Sequence, residues 1–104
     1  MSILHRVSGA LLFAALPLGV WSLSVSLSGA AGFQRTVDWV THPLSKLVLL
    51  LLIWAFVHHL LAGLRHLAMD AQWGVSLHRA RQSSLAVMLA TVWLTLLAAW
   101  RLFT

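Results

Sequence analysis

The chain contains no cysteine among its 104 residues. That excludes disulfides, iron–sulfur ligation by this chain, and any metal centre held or tethered through cysteine sulfur. Charge is scarce too: 9% of the residues are Asp, Glu, Lys or Arg, against roughly 25% in a soluble domain. So little charge cannot cover a water-facing surface. There is no Gly-rich strand-to-helix turn of the dinucleotide-binding kind, so the chain carries no flavin site of that type. Internal repeats and low-complexity segments are absent. No basic run with interleaved aromatics occurs, so the net charge of +5 does not point to nucleic acid.

What is present is apolar. Hydrophobic residues make up 61% of the chain, and mean hydropathy is +0.91. Lipid is the solvent that suits such a composition. The predicted fold class is all-α, an integral membrane bundle of three transmembrane helices forming one membrane domain over residues 1–104. The first span covers about 7–27 and includes Pro17, which a membrane helix tolerates. Ser28-Gly29-Ala30-Ala31-Gly32 is expected to break it, and a short connector carries Gln34, Arg35, Asp38 and Trp39. His42-Pro43 opens the second span, about 44–67, with Pro43 suited to a first helical position. Residues 70–82 read as a polar connector, and the third span, about 83–100, ends at Arg101. Each span meets the ~20 residues that a bilayer requires. The charged start and Ser28-Gly29-Ala30 also resemble a cleavable signal peptide, but the apolar stretch exceeds the usual ~7–15 residues.

The basic residues sit at span ends, as membrane topology requires. With three spans, Arg6, Arg65, Arg79 and Arg81 share one side, and Arg35, Lys46 and Arg101 the other. The bias places the N-terminus inside and the C-terminus outside. Trp39, Trp73 and Trp100 fall near span ends, where interfacial tryptophans anchor helices.

The second span carries His58-His59-Leu-Leu-Ala-Gly63-Leu-Arg65-His66-Leu-Ala-Met-Asp70. On a helix His59, Gly63, His66 and Asp70 share one face. An ionisable residue within a membrane is costly and is a functional candidate by default. His59 lies deepest, and Gly63 would let a flat macrocycle approach the backbone. His66 and Arg65 lie nearer water, where they could meet carboxylates. The bland reading of His59 is an interhelical hydrogen bond. His58 points about 100° away, so the two histidines cannot bind one iron; it reads as a helix-packing or interfacial residue. His59 and His66 stand about 10 Å apart along the axis, too far for one metal ion. His42, His78, Arg79 and Arg81 read as solvated loop residues.

At the start of the first span, Ser2, His5, Arg6 and Gly9 also share a face. A hydroxyl, an imidazole and a guanidinium converge there. They suit a carboxylate, through charge-assisted hydrogen bonds, or the carbonyl oxygens of a quinone. The bland reading is a positive-inside flank with Ser8 and Gly9 packing against a helix.

These two segments, Ser2-Ile-Leu-His5-Arg6-Val-Ser8-Gly9 and His59-x-x-x-Gly63-x-Arg65-His66-x-x-x-Asp70, resemble the cytochrome b membrane-anchor subunits of succinate dehydrogenase (succinate:quinone oxidoreductase). The resemblance implies haem b with His59 as an axial ligand and the other ligand on a second anchor subunit. It implies His5, Arg6 and His66 at the haem propionate edge, and Ser2 and Arg6 at ubiquinone. The implied partners are the second anchor, an iron–sulfur subunit and a flavoprotein subunit. The implied role is electron transfer from succinate to ubiquinone, with succinate oxidation elsewhere. Family members usually carry a further segment ahead of the Ser-Ile-x-His-Arg stretch, often with Pro-Leu-Ser-Pro-His, whereas this sequence begins at Met1-Ser2. The first residues do not read as an Arg/Ser-rich presequence, so a bacterial inner membrane is the expected location. A quinol:fumarate reductase anchor, a haem-free structural anchor and a stand-alone transporter or channel are the rival readings. The last is disfavoured because the first and third spans lack ionisable residues at mid-depth.

Overall fold

The computed structural model describes the backbone of residues 2–104 and the side chains from Ile3 onward. All regular structure among these residues is helical: α1 Ser2–Ser26, α2 Ala30–Val40, α3 Pro43–Asp70 and α4 Leu77–Phe103. α1, α3 and α4 are the three helices long and apolar enough to cross a membrane. At 1.5 Å per residue, the 28 residues of α3 reach beyond the ~30 Å hydrocarbon core. α3 is the central helix and packs α1 on one flank and α4 on the other, while α2 rests on α1 and α3. The molecule is a flat layer, 55 × 27 × 17 Å.

Burial is inverted relative to a water-soluble protein. The buried side chains are small or polar: Ser8, Ala55, His58, Ala62 and Thr91. Large apolar side chains such as Phe13, Leu16, Phe56 and Leu96 are exposed. Lipid offers no hydrophobic drive between helices, so small residues at the contacts let the backbones approach. Ala55 and Ala62, seven apart on α3, supply that close face.

The connectors differ from the sequence expectation. The break after α1 is confined to Leu27–Gly29, and the residues expected as a short connector form the helix α2. Gly29 takes φ 138° and ψ −178°, a region open essentially to glycine alone. Gly32 completes the turn: a Cβ there would overlap the Val25 carbonyl oxygen and Ser28 Oγ. Pro43 is the first residue of α3, as expected, and His42 caps it, its Nδ1 accepting from Leu44 N at 3.2 Å.

α3 runs to Asp70 and closes with paired bonds, Gln72 N to Met69 O and Trp73 N to Ala68 O, both 2.9 Å. This is a Schellman turn, with Gln72 at φ 66°. α4 then starts at Leu77, six residues before the expected span, because Ser76 Oγ caps it by accepting from Arg79 N at 3.3 Å. His78, Arg79 and Arg81 are exposed, as expected, but stand on the first turns of a helix rather than in a loop. Trp39, Trp73 and Trp100 are all exposed.

Candidate functional site

α1 and α3 run antiparallel, so the start of α1 meets the second half of α3. The two histidine-bearing faces inferred from sequence therefore come together. Between them lies an open cleft of about 610 Å³ lined by His5, Arg6, His59, Gly63 and His66, with Leu60, Leu64 and Leu67. No acidic side chain lines it. Charge and donors gather at the end nearest the start of α1, and His59 lies deepest.

His59 is held from α1. Ser8 Oγ donates to the His5 carbonyl oxygen at 2.9 Å. His59 Nδ1 lies 3.1 Å from that same carbonyl and 3.3 Å from Ser8 Oγ. A carbonyl can only accept, so Nδ1 carries the proton and donates to it. The hydroxyl proton is already committed, so Ser8 Oγ serves as a second acceptor for Nδ1–H. The tautomer follows from this network. Nε2 is left with a free lone pair and has no hydrogen-bond partner among the described residues. A cleft-lining histidine fixed through Nδ1–H to a backbone carbonyl, with Nε2 unpartnered, has the form of a metal-ligating imidazole. The residues present thus fit a metal centre bound through His59.

Gly9 makes this approach possible. A Cβ at Gly9 would come within 2.8 Å of His59 Cε1, so any side chain there would push the ring away. The His5 ring stacks on His59 with centroids 4.2 Å apart and planes at 4°. His66 packs against His5 in a tilted pair, centroids 5.3 Å apart. The space above Gly63, expected to admit a flat macrocycle, faces the His5 ring, whose Nε2 would lie 3.6 Å from a Cβ on Gly63. Arg6 is exposed at the cleft rim. The Ser2 side chain, expected at the quinone end, lies outside the described residues.

Two residues take other places. Arg65, expected beside His66 to meet carboxylates, turns toward α4. Its Nε donates to Ser83 Oγ at 2.9 Å and its Nη2 to the Ala80 carbonyl at 3.1 Å. Arg65 thus ties the second half of α3 to the start of α4. His58 faces the interior of the bundle and is fully buried. It stacks on Trp54 at 5.4 Å, and neither ring nitrogen has a partner among the described residues. The roughly 100° between neighbouring helical positions therefore separates a buried histidine from a cleft-facing one.

Ser8 and Gly9, for which the sequence offers no role beyond the bland reading of helix packing, stand against His59. Their signal was present, since Gly9 shares the face of His5 and Arg6. What the sequence lacked was the register that sets Ser8 and Gly9 opposite His59.

The basic residues also divide as the spans imply. Arg6, Arg65, Arg79 and Arg81 gather at the end that holds the cleft. Lys46 lies at the other end, over the Phe103 ring at 5.6 Å.

Comparison with known proteins converges on one family. Residues 1–98 match the family model described as succinate dehydrogenase/fumarate reductase transmembrane subunit. The chain is 37% identical over 97 residues to a succinate dehydrogenase cytochrome b556 subunit of Paracoccus denitrificans, covering 92% of this chain and 74% of the relative. It is 34% identical over 103 residues to the protein of that name from Coxiella burnetii, covering 90% and 82%. A Rickettsia felis protein of the same name is 29% identical over 97 residues, covering 93% and 75%. With three membrane-length helices and a match over nearly its whole length, the chain belongs to the succinate dehydrogenase/fumarate reductase transmembrane subunit family.

Proposed function

We propose that this chain is the haem b-bearing membrane anchor of a succinate dehydrogenase, and that it forms part of the site where ubiquinone is reduced. The observation that carries the reading is the state of His59: its Nδ1–H is tied to the His5 carbonyl, its Nε2 has no hydrogen-bond partner among the described residues, and the residue helps line a cleft with His5, Arg6 and His66. In this reading His59 would hold the haem iron together with a residue of a second anchor subunit. A b-type haem bound there supplies a one-electron carrier within the membrane.

The chain's own residues do the rest. His5, Arg6 and His66 offer imidazole and guanidinium donors to the propionates, which need charge-assisted partners at the membrane edge. Arg6 and Ser2 orient a quinone carbonyl, and Arg6 stabilises the negative charge that gathers on its oxygen during reduction. The leucines of the cleft exclude water from the deeper part. Succinate oxidation occurs on a flavoprotein subunit, and electrons arrive through an iron–sulfur subunit. The cleft end of the bundle faces the cytoplasm of a bacterial inner membrane, following the basic side chains. The family model spans succinate dehydrogenases and fumarate reductases, and the same donors serve a quinone in either direction.

The reading is tested on the complex assembled with its native partners. Arg6→Gln is expected to raise the KM for ubiquinone and lower kcat in the succinate–quinone assay, while succinate oxidation by an artificial electron acceptor stays normal. Unchanged quinone kinetics would contradict the placement of the quinone.

A further inference from the structure

We infer that Ser8 and Gly9 are positioning residues for His59, setting the orientation of its ring and the electron density at Nε2. The inference rests on the reading of His59 as a haem ligand and deepens it.

The geometry has two separable parts. The first is steric. Gly9 presents a bare backbone to the Cε1 edge of His59, and a Cβ would sit 2.8 Å from Cε1. That is closer than carbon atoms pack, so even alanine must displace the ring. The atom met belongs to His59 itself, so the change falls on the ligand and not on a neutral neighbour.

The second part is electronic. Nδ1–H is shared between two acceptors, the His5 carbonyl at 3.1 Å and Ser8 Oγ at 3.3 Å. The Ser8 hydroxyl is fully buried, so water does not compete for it. Ser8 Oγ donates its own proton to the same carbonyl, at 2.9 Å, and accepts from Nδ1 through a lone pair. The three atoms form a closed triangle in which each interaction fixes the next. Outer hydrogen bonds of this kind raise the basicity of a metal-ligating imidazole. A more basic ligand favours ferric over ferrous iron and lowers the potential. Loss of the Ser8 acceptor moves the potential upward.

The complex with native partners is compared as wild type, Ser8→Ala, Ser8→Thr and Gly9→Ala. The readouts are the reduced-minus-oxidised spectrum, the haem midpoint potential and the low-spin ferric EPR g values. Ser8→Ala is expected to keep its haem and to favour the ferrous form roughly tenfold, a positive shift of about 59 mV for one electron. Ser8→Thr restores the hydroxyl and is expected to return the potential to near wild type. Gly9→Ala is expected to shift the g values or to lose haem, because the ring is displaced. A Ser8→Ala potential equal to wild type, or a shift that Ser8→Thr does not reverse, would overturn the role of Ser8. Wild-type g values with full haem in Gly9→Ala would overturn that of Gly9. A wild-type complex without any b-type signal would remove the haem reading itself, and this inference with it.

Discussion

His5 holds His59 in two ways at once: its carbonyl oxygen accepts from His59 Nδ1 at 3.1 Å, and its ring stacks on the His59 ring with centroids 4.2 Å apart. The two contacts separate genetically, because the carbonyl belongs to the backbone. His5→Ala removes the ring and leaves the carbonyl. The expected result is a complex that retains its b-type spectrum but has a shifted haem midpoint potential, because a propionate loses one donor. Loss of the haem signal in an assembled His5→Ala complex would mean that the ring, not the carbonyl, secures His59.

Gly63 and Gly9 both border the cleft but differ in the room they have. A Cβ on Gly63 would meet His5 Nε2 at 3.6 Å, an ordinary contact, whereas on Gly9 it would meet His59 at 2.8 Å. Gly63→Ala is therefore expected to assemble and to keep its haem. Haem loss in Gly63→Ala would show that the bare backbone at Gly63 is itself needed by the macrocycle.

Arg65 is a helix-to-helix tie. It donates to Ser83 Oγ and to the Ala80 carbonyl, and it is half-buried. Arg65→Met is expected to destabilise the bundle by about 1–3 kcal/mol, the usual cost of leaving such partners unmet. The measurement is the midpoint of thermal unfolding in detergent. The position of the b-type absorption band is expected to stay unchanged, because Arg65 points away from the cleft. A shifted band would place it at the haem after all.

His58 is the converse case. Both ring nitrogens are buried without a partner among the described residues, so the residue carries a desolvation cost with no hydrogen bond there to offset it. An apolar side chain of similar size removes that cost. His58→Leu is expected to be neutral or to raise the unfolding temperature while the haem spectrum is kept. A less stable His58→Leu complex would indicate that the imidazole has a partner in the assembled protein.

The three spans and the His59 face were legible because membranes impose simple rules. Runs of ~20 apolar residues mark helices, and the positions of His59, Gly63 and His66 mark a face. The boundaries were less legible, because α2 and the first turns of α4 are too polar to register as spans. They form through local capping and turn geometry at Gly29, Gly32 and Ser76. The partners of His59 were not legible at all. That Ser8 and the His5 carbonyl reach its Nδ1 depends on the axial register of α1 against α3, which no pattern within either helix encodes. Arg65 shows the same limit: it lies beside His66 in sequence, yet one step around the helix turns it toward α4.

The most direct test of the central claim is a dithionite-reduced minus oxidised absorption spectrum of the complex purified with its native partners, for wild type and His59→Ala. The expected result is a b-type signal in wild type that is absent from an assembled His59→Ala complex. A signal that persists in His59→Ala would contradict the assignment of His59 as an essential haem ligand.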